Sequence, residues 1–331
     1  MKILSRFEGI LAVLKEKYSL SLEDEEWLKE IHSQGEIDTG WLQKNYNIQD
    51  GESITQEQTC PIVFGSYHAL YSIAQGSACT IYKGWKQGER NFVAIKRLDP
   101  QKLSTEARER FIREYSIMNS LSHPHILKPI MSGEQQGEYF FIAPFIPDSL
   151  AQRMELLPKP HTFQSIAPLL AIFISVAQAL EYSHEQGILH RDVKPENILL
   201  DGDHAYLADF GMARKLNQTL KLTKGAIGTP FYMAPEVWQK EFTPQCDIYS
   251  MGIILYELLK GEVPFTGEMP EDILVKQMTS RPKPPIGEGM QFPLALNEFV
   301  LKSLELRPKK RHASMKEFKK ELVRILEECV V

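Results

Sequence analysis

The spacing of apolar positions changes character several times along the chain. Within residues 1–60, Ile3, Leu4, Phe7, Ile10, Leu11 and Leu14 recur at helical intervals, and Leu22, Trp27, Leu28 and Ile31 do so again. Each set lies on one face of an amphipathic helix. The second helix begins near Ser21, where Ser21 and Asp24 stand at capping-box-like spacing, and Gly35 would end it. Trp41, Leu42 and Tyr46 suggest a short third element, and Asp50-Gly51-Glu52-Ser53 reads as a turn and linker. The plain expectation is a helical extension packed on the rest of the chain, because apolar stripes bury. The sharper one is a surface for a partner or for self-association through residues 1–60.

From Ile62 the period shortens to that of strands, over Tyr67 to Ile73, Cys79 to Trp85 and Asn91 to Lys96. A helix from Ser104 to Ser120 comes next, carried by Leu103, Ala107, Phe111, Ile112, Tyr115 and Met118, and then a short apolar strand from Tyr139 to Ala143. Phe163 to Gln186 is long, apolar and helical, through Leu169, Leu170, Ile172, Phe173, Val176, Leu180 and Tyr182, and reads as a buried core helix with a structural histidine, His184, at its end. Two short strands lie beyond it, Ile198-Leu199-Leu200 and Ala205-Tyr206-Leu207-Ala208.

Composition adds bounds. With 331 residues, 43% hydrophobic and 24% charged, the chain has room for two lobes and an extension. A net charge of −5 gives no bulk electrostatic case for nucleic acid. The four cysteines, Cys60, Cys79, Cys246 and Cys329, show no CxxC spacing, which fits a reducing compartment. No run approaches the roughly 18 apolar residues of a membrane span, and Met1 to Glu8 makes a poor signal peptide. The expected setting is cytoplasmic, with delivery into a host cell a compatible variant.

The chemistry concentrates in His190-Arg191-Asp192-Val193-Lys194-Pro195-Glu196-Asn197-Ile198-Leu199-Leu200 and Asp209-Phe210-Gly211. Two short strands with acids at their ends form a hairpin that brings Asp192, Asn197 and Asp209 toward one point. Oxygen ligands there suit a divalent cation and a polyphosphate, and a further carboxylate can take a hydroxyl proton. These two runs resemble the HRDxxxxN and DFG motifs of eukaryotic-type (Hanks-type) protein kinases, and the resemblance extends from about Val63 to the C-terminus. It implies an α+β, bilobal protein kinase fold: a helical extension (1–61), a β-rich N-lobe with its helix C (62–143), and a hinge with a mostly helical C-lobe (144–331).

The resemblance also assigns roles. Val93-Ala94-Ile95-Lys96 matches the strand whose lysine holds the α- and β-phosphates, and Glu114 stands where helix C supplies that lysine's partner, with Glu109 an alternative more than a turn too early. Asp192 would accept the substrate hydroxyl proton, Lys194 would stabilise the transferred phosphoryl group, and Asn197 and Asp209 would hold Mg²⁺, with Mn²⁺ as a substitute. ATP would contact Ala74, Gly76, Cys79, Ile81, Ala94, Ala143, Phe145, Ile146 and Leu199. The glycine-rich loop departs from the family: Ala74 and Cys79 replace its first and third glycines, and only Gly76 is kept. Pro144 has no N–H, so a hinge donor must come from a neighbour such as Ile146.

Lys194 and Gly228-Thr229-Pro230 resemble the Ser/Thr branch, which implies a protein substrate with a Ser or Thr acceptor. The activation segment carries Thr219, Thr223 and Thr229, and a phosphate on Thr223 would pair with Arg191. His190 and Phe210 are stacking residues in the family, Ala234-Pro235-Glu236 matches its APE motif with Arg311 as the expected buried partner of Glu236, and Asp247 resembles its anchoring aspartate. The Pro-rich stretch Arg281 to Pro293 reads as a surface connection, and its run into Leu294-Ala295-Leu296-Asn297 and the final helices resembles bacterial members more than animal ones. The competing reading is a pseudokinase scaffold, supported by the altered glycine loop alone; a small-molecule or lipid kinase is disfavoured by Thr229 and the APE motif. Ala143 stands at the gatekeeper position, and its small side chain predicts a pocket behind the adenine. Ala143→Met should weaken bulky adenine-site inhibitors while ATP turnover persists; equal inhibitor affinity for both forms would sink that assignment.

Overall fold

The computed structural model describes residues 20–33, 63–76, 78–135, 137–158, 162–215, 230–287 and 292–328, with single positions at 8, 11 and 15. Its contacts divide into two compact units: Met1–Ile112 with Pro129–Phe145, and Arg113–Lys128 with Ile146–Val331. Apart from positions 8 and 11, the helix expected over Ile3 to Leu14 lies outside the described residues, as do the third element near Trp41, the linker at Asp50, and Thr219, Thr223 and Thr229.

The first unit is built on a six-stranded antiparallel sheet in the order β1-β2-β3-β4-β6-β5. The strands are β1 (Val63–Phe64), β2 (Tyr67–Gln75), β3 (Cys79–Lys86), β4 (Phe92–Leu98), β5 (Met131–Gln135) and β6 (Glu138–Pro144). Its register separates two faces, because successive strand residues point to opposite sides. On one face Tyr82 pairs with Ile95 and Ile95 with Ile142, and Phe64, Tyr67, Ala69, Val93 and Phe140 complete a core there. On the other, Ile81 pairs with Lys96, Lys83 with Ala94 and Trp85 with Phe92, while Ala94 faces Ala143 and Lys96 faces Phe141.

Helix α1 (Leu22–Ser33) packs onto the end of that second face. Trp27 lies 5.8 Å from the Trp85 ring and 5.4 Å from Phe92, and Leu11, Leu28 and Ile31 join the same cluster. Burying an aromatic or leucine side chain of this kind contributes on the order of 1.5–3 kcal/mol. The N-cap forms as its spacing suggests, with the Asp24 N–H donating to Ser21 Oγ at 3.1 Å. The Asp24 carboxylate accepts from the Ser21 hydroxyl and, 64 residues away, from the Gly88 N–H at 3.0 Å. This helix is therefore a packed extension within the first unit.

Helix α2 (Thr105–Ser120) starts with Ser104 Oγ accepting from the Ala107 N–H. It spans the division, because the segment after it is tied to the second unit: Ile126 bridges Leu207, the Leu127 N–H donates to Leu207, and the Leu207 N–H donates to His125.

In the second unit, β7 (Asp148–Ser149) precedes α3 (Leu150–Glu155) and α4 (Phe163–Glu185). Strands β8 (Ile188–Leu189), β9 (Ile198–Asp201), β10 (His204–Leu207) and β11 (Arg214–Lys215) pair as β10-β9-β7 and β11-β8. Helices α5 (Pro235–Trp238), α6 (Gln245–Lys260), α7 (Pro270–Thr279), α8 (Ala295–Ser303) and α9 (Met315–Glu327) complete it. The absence of any span-length apolar run needs correction: α4 is long and apolar enough to cross a membrane by length and composition. Ile166, Leu170, Ile172, Phe173, Val176 and Leu180 are nevertheless buried among the elements of this unit, which explains the same apolarity as that of a core helix.

The expected Glu236–Arg311 pair is present and buried, with Nη1–Oε1 at 2.6 Å and Nη2–Oε2 at 2.8 Å. Arg311 also donates to the carbonyls of Gln245, Glu305 and Leu306, so its guanidinium ties α5, α6 and the turn before α9 together. Arg311→Ala strands a buried carboxylate and three carbonyls. It should lower stability in urea denaturation by about 3–5 kcal/mol, whereas a loss below about 1 kcal/mol would reduce the pair to surface value.

Candidate active site

The loop between β8 and β9 is held from below by one carboxylate. Asp247, in the first turn of α6, is fully buried. Its Oδ2 accepts from the His190 N–H at 3.0 Å and lies 2.7 Å from His184 Nε2, and its Oδ1 accepts from the Arg191 N–H at 2.8 Å. Burial pushes its pKa up, but the His184 contact, the nearby imidazoles and the Arg191 N–H outweigh that and hold it below the ordinary value. The network matters because Arg191 adopts φ 70°, a left-handed conformation that costs a non-glycine residue about 1–2 kcal/mol. The guanidinium of Arg191 lies over the Phe242 ring at 3.5 Å. His190 stacks edge-on against Phe210 at 4.6 Å and makes a 3.0 Å contact with the Ala208 carbonyl, so both act as structure, as their place in the motifs implied.

On that support the reactive side chains converge. Lys194 Nζ lies 3.4 Å from Asp192 Oδ2. Asn197 Nδ2 donates to the Asp192 carbonyl at 2.8 Å and to Asp192 Oδ2 at 3.2 Å, which fixes the amide and turns Oδ1 away from Asp192. The Ala208 N–H donates to the Asn197 carbonyl, joining this loop to the Asp209 turn. Asp209 itself sits at φ 57°, with its carboxylate accepting from the Gly211 N–H at 3.1 Å. An amide oxygen and a carboxylate presented from the two ends of one hairpin are a hard-oxygen donor set, and they fit Mg²⁺. Glu114, buried on α2, borders the same turn: a Cβ at Gly211 would lie 3.2 Å from its Oε2 and 2.9 Å from Asp209 Oδ1.

In the first unit, Ile81, Ala94, Lys96 and Ala143 share one sheet face by register. Lys96 lies 5.6 Å from the centre of the Phe141 ring, and Ala143 is buried. Ala74 pairs with Ile81 and Cys79 with Leu98, so both flank the β2–β3 turn. There the Gly76 N–H donates to the Cys79 carbonyl, and a Cβ at Gly76 would make only an ordinary 3.6 Å contact with that oxygen. The fold by itself thus tolerates a side chain at Gly76. At the end of β6 the Phe145 N–H is committed to the Phe92 carbonyl at 3.3 Å, which leaves Ile146 as the next backbone donor, since Pro144 has no N–H. Leu199 lies in β9 of the second unit, paired with Tyr206 and Ser149.

Comparison with known proteins accords with this geometry. The protein kinase domain family matches residues 67–323. The chain belongs to the protein kinase family. It is similar to a probable serine/threonine-protein kinase of Clostridium perfringens, 31% identical over 268 residues, covering 80% of this chain and 39% of that protein. It is also 36% identical over 225 residues to the serine/threonine-protein kinase PknB of Mycolicibacterium smegmatis, covering 66% and 36%. A protein kinase and PP2C-like domain-containing protein of Arabidopsis thaliana is 32% identical over 283 residues, covering 75% and 42%. The chain thus spans less than half the length of these relatives.

Several parts of the kinase site escape sequence reasoning. Spacing gives His184 no partner, yet it completes the Asp247 cluster; its signal is a histidine at the end of an apolar helix. The turn after the activation segment is pinned by Ser250 Oγ on the Tyr232 carbonyl and by Gln277 on the Met233 carbonyl. Tyr232 donates to Glu257 at 2.8 Å, and burial with that carboxylate pushes the phenol pKa well up. For the site itself, Gly211→Ala must displace the Asp209 carboxylate rather than backbone. Thermal stability should be little changed while turnover falls about tenfold or more, a loss expected from moving a charge-stabilising group; unchanged turnover would remove Asp209 from the chemistry.

Proposed function

We propose that this chain is an active protein kinase that transfers the γ-phosphoryl group of ATP to Ser or Thr hydroxyls of protein substrates. The observation that carries the proposal is the Asp192–Lys194–Asn197 cluster held on the Asp247-supported loop. Asp192 accepts the proton of the acceptor hydroxyl as its oxygen bonds to the γ-phosphorus and the bond to the β-phosphate oxygen breaks, releasing ADP. Lys194, beside Asp192, offsets charge on the moving phosphoryl group. Asn197 and Asp209 would hold the divalent cation, Mg²⁺ or Mn²⁺, which would neutralise charge on the phosphates. Within the first unit, Lys96 is the residue suited to the α- and β-phosphates, and the sheet face of Ile81, Ala94 and Ala143 is the surface suited to the adenine.

Ser/Thr selectivity rests on Lys194 and Thr229 and on the names of the serine/threonine-protein kinases that the chain resembles. Regulation through Thr223 belongs to the same reading, with Arg191 as the phosphate's partner. A reducing cytoplasmic setting is supported by the scattered cysteines, of which Cys246 is a buried free thiol. The packed α1 supports an internal role for that part of the extension rather than a partner surface.

The test is phosphate transfer from labelled Mg·ATP to the chain itself and to a generic basic protein, with Asp192→Asn and Lys96→Met as controls. Both variants should lose at least about a hundredfold, and mass spectrometry of the ATP-treated protein should place phosphate within residues 216–229. Wild-type signal no greater than that of Asp192→Asn would turn the reading to a nucleotide-binding scaffold.

A further inference from the structure

We propose that helix α1 is a positioning element for the nucleotide edge of the first unit, acting through Trp27, Phe92 and Lys83 on Phe145. The inference rests on the ATP-dependent reading above and adds a way of tuning that site. Its first ground is the register. The face that carries Lys96 and Ala94 on β4, with Ile81 on β3, continues along the same strands to Lys83, Trp85 and Phe92. Helix α1 closes this stripe at its far end, where Trp27 contacts both Trp85 and Phe92.

The second ground is the placement of Lys83. This lysine is only 7% exposed. Its Nζ lies 3.8 Å from the centre of the Phe92 ring and 4.8 Å from that of Phe145. The two rings meet edge-on at 6.3 Å. A cation seated between two aromatic rings gains from both, and gains more as water is excluded. Phe92 also holds Phe145 through the backbone, since its carbonyl accepts the Phe145 N–H. Ring and main chain of Phe145 are thus fixed by one residue, and Phe145 immediately follows Pro144 at the start of the hinge.

The third ground is the fastening of α1. Asp24 accepts the N–H of Gly88 in the turn between β3 and β4, so the helix is anchored to the two strands that carry Lys83 and Phe92. With α1 seated, Trp27 forms one wall of Phe92, the ring over which Lys83 lies. With α1 released, Phe92 loses that wall, the cation–π contact weakens, and Phe145 and Pro144 lose their support. Docking of the extension therefore sets nucleotide affinity, whereas the transfer step on the Asp192 loop has its own support in Asp247.

The experiment uses the full chain with Trp27→Ala, Lys83→Met, the double variant and Lys83→Arg. ADP affinity is read by calorimetry, which needs no turnover, together with KM for ATP, kcat and thermal unfolding. Trp27→Ala and Lys83→Met should each raise the ADP Kd and the ATP KM about three- to tenfold. In both, kcat at saturating ATP should stay within about twofold of wild type. The double variant should be no worse than the weaker-binding single one, because both cut the same chain of contacts, and Lys83→Arg should retain affinity. Leu22→Ala, a 74% exposed position on the same helix, should change neither constant. Unchanged Kd and KM in folded Trp27→Ala, additive effects in the double variant, or a kcat loss at constant KM would overturn the proposal. If Trp27→Ala does not fold, Trp27→Phe and Asp24→Ala give the same readout with smaller disturbance. A chain that binds ADP but transfers no phosphate would fail the kinase reading alone; one that transfers phosphate with Kd indifferent to Trp27 would fail this inference alone.

Discussion

The carboxylate of Asp247 is the point on which the second unit's chemistry depends. It is buried without exposure to water, and a buried charge is costly unless its hydrogen-bonding capacity is filled. His184, His190 and Arg191 fill it. In return it holds two successive N–H groups in fixed positions and keeps Arg191 in a left-handed backbone conformation. That turn aims the next residue, Asp192, toward Lys194 and Asn197. Stiffness at this point is what phosphoryl transfer asks of a protein, since the reaction needs placement and electrostatics more than covalent work. The Glu236–Arg311 pair plays a comparable part lower in the unit, joining three segments through one guanidinium.

The first unit solves a different problem. Its sheet buries one face for stability, and the alternation of side chains along β3, β4 and β6 sets a second, distinct set of residues on the other. Tyr82, Ile95 and Ile142 build the core. Ile81, Ala94, Lys96 and Ala143 form the opposite face, where small and aliphatic groups suit a flat heterocycle and the lysine suits phosphate. The end of this second face beyond Lys83 holds Trp85 and Phe92, too much apolar surface to leave in water, and α1 covers it. In the unusual glycine loop, a Cβ at Gly76 would meet only the Cys79 carbonyl among the described residues, at 3.6 Å.

Much of the site is legible in the chain because the chemistry demands certain residue types at short, fixed offsets. Asp192, Lys194 and Asn197 lie within six positions, and the Ile198-to-Leu200 and Ala205-to-Leu207 strands set the distance to Asp209. Local covalent geometry converts such offsets into proximity, so the hairpin and its acids are readable from residue order alone. Element types are legible for the same reason: the helix Phe163–Glu185 and the strands β2, β3 and β4 follow from period alone. The short strand β5, with Gly133 and Glu134 in place of an apolar run, gives no periodic signal and exists through its pairing with β6.

The sequence by itself determined the spacing of the candidate catalytic residues, the family and the two-faced pattern of the sheet, since each is written in residue identity and spacing over a few turns or strands. Tertiary structure alone decided which distant groups meet. Only the fold brings His184 to Asp247 across 63 positions and Asp24 to Gly88 across 64, and only the fold seats Trp27 against Phe92 and Lys83 between two rings. The physical reason is that period fixes the direction a side chain points, while its partner depends on how whole elements pack. An apolar stripe such as that of α1, or an apolar helix such as α4, announces that it will be buried without saying against what.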